Sequence, residues 1–308
     1  MEYEFIVASA DWHLAKRTPI SRIDKLYFQH GLSKVVQLVS IANEYDAPLL
    51  VGGDIYDSID ATPYMINSLT SALRACENGV YAVAGQHDQD HRLLNKNCPY
   101  ISLIEANVIQ HMNHRPQNNI FGLSYGETKL PSPASSNAIL IAHKTVTKKK
   151  PPFFLKDAIS SEAMLSLYSK FKIIITGDYH VPFISRMHNR LLVNCGSLMR
   201  KSKEQMNYVP SAFVINCKTL EVDRKFLSVL PKEEVFNMTS IQGKEIVKNT
   251  SFEGNLDRVI AKLQKEKVKP DYKNIVQALA VDAGITKIER DMLTDIIRIA
   301  ENGTARKK

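Results

Sequence analysis

Five short apolar runs recur through residue 180, and each ends in polar residues. They are EFIVAS at 4–9, LLV at 49–51, VYAVA at 80–84, AILIAH at 138–143 and KIIIT at 172–176. Continuous apolar, β-branched runs of this length predict strands buried in a sheet. Between the strands the periodicity lengthens. Leu26, Leu32, Val35, Val36, Leu38, Val39 and Ile41 recur at three-and-four spacing and predict a helix over 22–45. Thr62-Pro63 opens a second helix over 61–77, with Gly79 just beyond its end. Shorter helices are expected at 100–106 and 159–170, a hairpin region at 107–125, and strands joined by turns at 183–200 and 211–229. Strands alternating with helices predict an α/β layered core. Beyond Pro231 the pattern changes to Lys, Glu, Ile and Leu at helical spacing. A boundary is therefore expected between a first domain, 1–230, and a small, mainly helical region, 231–308.

Composition narrows the class. With 44% hydrophobic and 23% charged residues, the 308-residue chain is globular in type and not wholesale disordered. No apolar run approaches the ~18 residues needed to span a bilayer, so no membrane association is expected. The opening MEYEFIVASADWH reads as a strand, not as a signal peptide, and a cytoplasmic location is the expectation. Cys76, Cys98, Cys195 and Cys217 form no CxxC and are expected to be buried free thiols. The 40 Lys and Arg against 32 Asp and Glu leave a net charge of +8, which favours a polyanionic partner.

The chemistry lies where the strands end. The clusters are Asp11-Trp12-His13, Gly53-Asp54-Ile55-Tyr56-Asp57, Gly85-Gln86-His87-Asp88, Ala142-His143 and Gly177-Asp178-Tyr179-His180. Ligands of open α/β sheets bind beyond the carboxyl ends of strands, so side chains distant in sequence converge there. Mixed carboxylate, imidazole and amide donors suit a pair of first-row divalent ions such as manganese. Two ions ~3.5–4 Å apart clamp a phosphate and activate a water for in-line displacement. A carboxylate must bridge them, and Asp54 on its glycine-flanked turn suits that position.

This ordered series resembles the calcineurin-like metallophosphoesterase superfamily. SADWHL, GGDIYDS, AGQHD and the later NCGSLMR make roughly residues 4–230 similar to the SbcD-type nuclease subunit of double-strand-break processing complexes. A shortened member, as bacteriophages carry, fits the length, with the host cytoplasm as its location. The resemblance implies a two-sheet αββα sandwich with a small C-terminal helical region. It also implies a metal-dependent DNA nuclease, acting as an exonuclease on ends and an endonuclease on single strands or hairpins. Asp11, His13 and His180 would hold the first metal, Asp54 would bridge, and Gln86, His143 and Asp178 would hold the second. The ions are expected to be Mn²⁺, with Mg²⁺ as the substitute. His87 would contact the scissile phosphate and assist the leaving group, oriented by Asp88, and Asp57 would touch substrate or position a ligand. An imidazole suits the leaving-group role because it exchanges a proton near neutral pH.

The sequence departs from the family at two positions: Gln86 stands where Asn is usual, and Asp178 where His is usual. Both keep an oxygen donor, so activity is expected with an altered metal preference. The Lys148-Lys149-Lys150 run and Arg200 are candidate DNA-backbone contacts, and Arg92, Arg186 and Arg190 also lie near motif segments. Apolar positions on Tyr272–Asp282 and Thr286–Ala300 form a helix–turn–helix pair. It stands where SbcD-type subunits grip an SbcC-type ATPase, and the resemblance also implies a homodimer. Two other readings stand beside the nuclease: an enzyme with this site acting on a small phosphoester or nucleotide, and an inactive DNA-binding scaffold.

Overall fold

The computed structural model describes residues 3–237 except 129–131, 135–136, 153–154 and 156. The first compact unit is Met1–Asn237. The helix–turn–helix pair expected over 272–300, and nearly all of the region 231–308, lie outside the described residues.

Two sheets stack face to face. The first contains β1 (Phe5–Ser9), β2 (Leu49–Val51), β3 (Val80–Ala82) and β4 (Gln110–His111), parallel to one another. The second contains β5 (Ile120–Leu123), β6 (Ala138–His143) and β9 (Phe171–Gly177), with a small parallel pair, β7 (Val146–Thr147) and β8 (Ile159–Ser160), intervening in the chain. The chain then extends the second sheet with β10 (Phe183–Met187) and β11 (Arg190–Asn194), before returning to the first with β12 (Ser211–Asn216) and β13 (Val222–Phe226). The strand orders are β13-β12-β1-β2-β3-β4 and β10-β11-β9-β6-β5, with antiparallel pairs at β10/β11, β12/β13 and β1/β12.

The alternation of side chains along each strand builds three apolar layers. Ile6, Leu50, Tyr81, Ile139, Ile141, Ile173, Ile175, Val193 and Phe213 meet between the sheets. Val7, Leu49, Val51 and Val214 face the other way, onto α1 (Tyr27–Glu44), α2 (Pro63–Arg74) and α3 (Pro99–Glu105). Leu140, Ile174 and Leu192 turn outward onto Met164 and Leu165 of α4 (Ser161–Leu167). Strands buried on both faces read as unbroken apolar runs, which is why β6 and β9 were visible in the sequence. The result is the expected four-layer αββα sandwich.

Two local expectations are corrected. Residues 107–125 are not a hairpin: β4 joins the first sheet beside β3, whereas β5 joins the second beside β6, so the chain crosses between sheets. Neighbouring β signals do not reveal which sheet each enters. The first helix starts at Tyr27 and not near 22. The Arg22 side chain pairs with Asp24 at 2.7 Å and donates to the Arg200 carbonyl at 2.6 Å, which holds the preceding segment out of the helix. The second helix begins as expected, with Thr62 Oγ1 accepting from the Met65 N–H at 3.2 Å and Pro63 in the first turn. All four cysteines are buried and free.

Candidate metal centre

The carboxyl ends of β1, β2, β6 and β9 converge, and the backbone there is unusual. Asp11, His13, Asp54 and Asp178 have φ of 50°, 46°, 52° and 83°. Non-glycine residues rarely hold the left-handed region, and such strain collects at functional sites. Each of these turns redirects a side chain from its strand end into the shared crevice. The crevice is narrow where the sheets meet. A Cβ on Gly177 would come within 2.3 Å of the Gly52 carbonyl oxygen, and one on Gly85 within 1.9 Å of Asp54 Oδ1. Side chains at either position would displace a ligand-bearing turn.

Among the described residues, three groups of donors have ligand atoms within 4.8 Å of one another: Asp11, His13 and His180; Asp11, Asp54 and His143; and His13, Asp57 and His87. Asp54 joins the halves. Its Oδ1 accepts the His87 N–H at 2.9 Å. Its Oδ2 is buried without a hydrogen-bond partner, 3.7 Å from His13 Nε2 and 3.5 Å from His143 Nε2. A buried carboxylate oxygen left unpaired is costly, and one flanked by two imidazole nitrogens fits a cation-binding position.

The protonation chemistry agrees. His143 Nδ1 donates to the Gly52 carbonyl at 2.6 Å, which turns Nε2 toward Gln86 Oε1, also at 2.6 Å. Burial pushes the His143 pKa down, but the Asp54, Asp11 and Asp178 carboxylates outweigh it and raise the pKa above the usual imidazole range. In the metal-free protein a proton thus holds together two groups that would otherwise both present lone pairs. On the other side, His13 Nε2 lies 3.0 Å from His180 Nε2. Burial lowers both pKa values, and the His13 and Lys201 charges help push His180 down to about 4. Neutral imidazoles are what ligation requires. The Asp11 carboxyl is driven well above its ordinary range, first by burial, while its two oxygens accept the Asp178 N–H at 2.9 and 3.1 Å. Aspartate oxygens and imidazole nitrogens, crowded around an unpaired carboxylate oxygen, fit a pair of divalent ions.

Gln86 and Asp178, the two positions that differ from the resembled pattern, touch each other. Gln86 Nε2 donates to Asp178 Oδ1 at 2.8 Å, and Thr145 Oγ1 donates to Asp178 Oδ2. Asp178 lies at the rim, with Oδ1 3.8 Å from His143 Nε2. The longer amide reaches His143 through its oxygen and the replacement carboxylate through its nitrogen.

Around this centre several expected roles change. Asp88 does not orient His87. Its carboxylate is fully buried and accepts from the N–H groups of Gly85, Tyr56 and Ile55 at 2.9, 3.0 and 3.3 Å, pinning the Asp54 turn to the His87 turn. His87 is oriented by the Asp57 carbonyl, to which its Nδ1 donates at 2.8 Å, with its ring edge-on to His13. Asp57 Oδ1 lies 3.0 Å from His13 Nδ1 and pairs with Lys201. These two partners outweigh burial and keep the Asp57 carboxyl below its usual range. Arg200 is a structural residue, not a DNA contact: it is buried and donates to the Met206 and Leu230 carbonyls at 2.9 and 2.6 Å. Arg186 and Arg190 likewise bond to the carbonyls of Leu220 and Leu165. Lys148, Lys149 and Lys150 are exposed beyond β7, and the structure does not bring them to the cavity beside the carboxylates. That cavity takes its cations from Arg92 and Lys144.

Lys201 went unnoticed in the sequence, although it directly follows the NCGSLMR segment. That segment also carries Asn194, whose Nδ2 donates to the Tyr179 and Val181 carbonyls at 2.6 and 2.9 Å and fixes the turn bearing Asp178 and His180. Trp12 is buried and donates to Ser9 Oγ at 3.0 Å, a packing residue as expected.

No family model and no curated protein matches the chain. Among solved structures, the chain is similar to an archaeal phosphodiesterase, with 12% identity over 72% of this chain and 99% of that one and a TM-score of 0.41. A 5′-nucleotidase-type protein from Staphylococcus aureus matches at 13% identity over 73% of this chain, TM-score 0.43. A 5′-nucleotidase precursor from Thermus thermophilus matches at 10% identity over 78% of this chain, TM-score 0.43. The chain spans 54% and 57% of the length of those two.

Proposed function

We propose that this chain is a metal-dependent phosphodiesterase that cleaves DNA, and that it works with an SbcC-type ATPase. The observation that carries the hydrolase reading is the unpaired, buried Asp54 Oδ2 between His13 Nε2 and His143 Nε2. Asp11, His13, His180, Asp54, His143 and Gln86 would hold two divalent cations, with Asp178 at the edge. Bound cations supply Lewis acidity toward a phosphoryl oxygen and a water made nucleophilic at neutral pH. Asp57, itself paired with Lys201, lies 3.0 Å from His13 Nδ1 and its charge favours the proton there, which would leave the Nε2 lone pair toward the centre. His87, held through its Nδ1–H, keeps Nε2 for the departing oxygen and gives it a proton when the ring is the doubly protonated imidazolium. The DNA assignment rests on the resemblance in sequence motifs and on the +8 charge, which cannot be balanced within an acidic crevice and so lies outside it.

End-labelled duplex and single-stranded DNA, incubated with Mn²⁺, Mg²⁺ or chelator beside a chromogenic phosphodiester, tests this. Cleavage of DNA with either metal and none with chelator is expected. Turnover of the small ester alone would move the assignment to a small-substrate phosphoesterase, and metal-independent DNA binding without turnover would make the chain a scaffold. The partner is tested by co-purification with the ATPase before and after truncation at residue 270. Loss of the ATPase on truncation is expected, and undiminished retention overturns the assignment of that segment.

A further inference from the structure

Beside the His143 and Asp178 edge of the centre lies a cavity of about 370 Å³ whose wall includes Tyr125, Glu127, Asp157, Lys144 and Arg92. Its size falls in the range of small-molecule sites, and it opens directly onto two residues of the metal centre. Two features of its lining go unused by the chemistry described above.

The first is Tyr125. Its ring lies 6.3 Å from that of His143, steeply inclined to it. Its backbone is fastened at both ends to the segment carrying Gln86 and His87. The Tyr125 N–H donates to the Ala84 carbonyl at 2.9 Å, and its carbonyl accepts from Gln89 Nε2 at 3.0 Å. The backbone of a half-exposed aromatic residue is thereby fixed with its ring beside that of His143.

The second is the turn Asp90–Leu93. Asp90 and Leu93 exchange N–H···O bonds of 2.9 Å in both directions. The two residues between them, His91 and Arg92, have φ of 48° and 66°. A two-residue turn with both central residues left-handed is normally built from Asn and Gly. Here neither position has one, and the strained residue Arg92 lines the cavity. Asn95 and Asn97 donate to Asp90 Oδ2 at 3.0 and 3.3 Å and brace the turn. Strain that the surroundings hold in place at a cavity wall is a reason to look for function.

The charge pattern defines the occupant. Arg92 and Lys144 suit a phosphate, but Glu127 and Asp157, which line the same cavity, oppose an extended run of phosphates. One nucleotide satisfies both: a base on Tyr125, a single phosphate toward Arg92, and hydroxyl or amino donors toward the carboxylates. From this geometry we infer that the cavity is a nucleotide subsite, with Tyr125 as the base platform and Arg92 as the phosphate contact. This rests on the phosphodiesterase reading and names the part of the substrate that the centre's neighbour recognises.

The test is equilibrium dialysis of adenosine 5′-monophosphate, adenosine and ribose 5-phosphate against the full chain with Mn²⁺. The mononucleotide is expected to bind more tightly than either fragment. Tyr125→Ala should weaken it about 10-fold, in the range of base–aromatic stacking, and Tyr125→Phe should restore binding. Arg92→Gly should weaken the mononucleotide about 10-fold while raising the thermal midpoint, because glycine relieves the left-handed strain. Ribose 5-phosphate binding as tightly as the mononucleotide overturns the subsite. So does a Tyr125→Ala loss equal for both, or Arg92→Gly binding within twofold of the parent. Hydrolysis of bis(4-nitrophenyl) phosphate, run in parallel, separates the two claims. Turnover without base-dependent binding removes the subsite alone, and base-dependent binding without turnover of any diester removes the phosphodiesterase reading alone.

Discussion

If Asp54 is the ligand the two proposed metal positions share, Asp54→Asn is expected to lower phosphodiester hydrolysis by about 10³-fold or more, since each bound ion would contribute several kcal/mol to the transition state. The same substitution should make the metal-free protein more stable. Asp11 and Asp88 are fully buried with raised pKa values, Asp88 to about 7; burial is the first cause in both, and the nearby Asp54 carboxylate is an additional one. Removing the Asp54 charge relieves both. Asparagine also tolerates the left-handed backbone at φ 52° and keeps an oxygen for the His87 N–H. A gain on the order of 1 kcal/mol would raise the thermal midpoint by roughly 2–4 °C for a domain of this size. Scanning calorimetry with chelator and with Mn²⁺ reads both effects. The variant should melt higher without metal and show little of the parent's Mn²⁺-induced rise. A variant that melts lower without metal would overturn the charge-relief argument, and one that keeps the full Mn²⁺-induced rise would show that Asp54 is not the bridging ligand.

His87→Ala should behave differently. The alanine keeps the N–H to Asp54 Oδ1, so Mn²⁺ binding should survive while kcat falls by about 10²–10⁴-fold. The loss should depend on the leaving group. A 4-nitrophenolate departs without a proton, whereas a nucleotide hydroxyl needs one, so the DNA rate should fall further than the chromogenic rate. Measuring kcat for both substrates with parent and variant decides this. Equal losses on the two substrates would place His87 in substrate binding and take the leaving-group proton away from it.

Much of the fold was legible because buried strands leave unbroken apolar runs and each run ended at its polar cluster. Asp11, His13, Asp54, His143 and His180 could be read because strand ends of a layered sheet must converge. What escaped the sequence was the set of contacts made across the molecule. Asp88 looked like a partner for the adjacent His87, yet it serves backbone N–H groups of the Asp54 turn more than 30 positions away. Arg200 looked available for DNA, but nothing local shows that the carbonyls of Met206 and Leu230 occupy it. Lys201 reaches Asp57 only through the fold. The mutual bond of Gln86 and Asp178 could not be read either, since each substitution is intelligible alone only as a changed donor.

The close approach of Gly52 and Gly177 has a consequence for how this centre can vary. Backbone meets backbone there, with only the small Ala10 methyl alongside, so the separation of the two half-sites is a dimension of the sandwich itself. Interior residues can be exchanged without moving the jaws of this vice. Individual donors can be replaced as well, provided a lone pair still reaches the gap. An amide one methylene longer and a carboxylate in place of an imidazole are changes that such a frame would absorb, because the frame and not the donor would fix where bound ions sit.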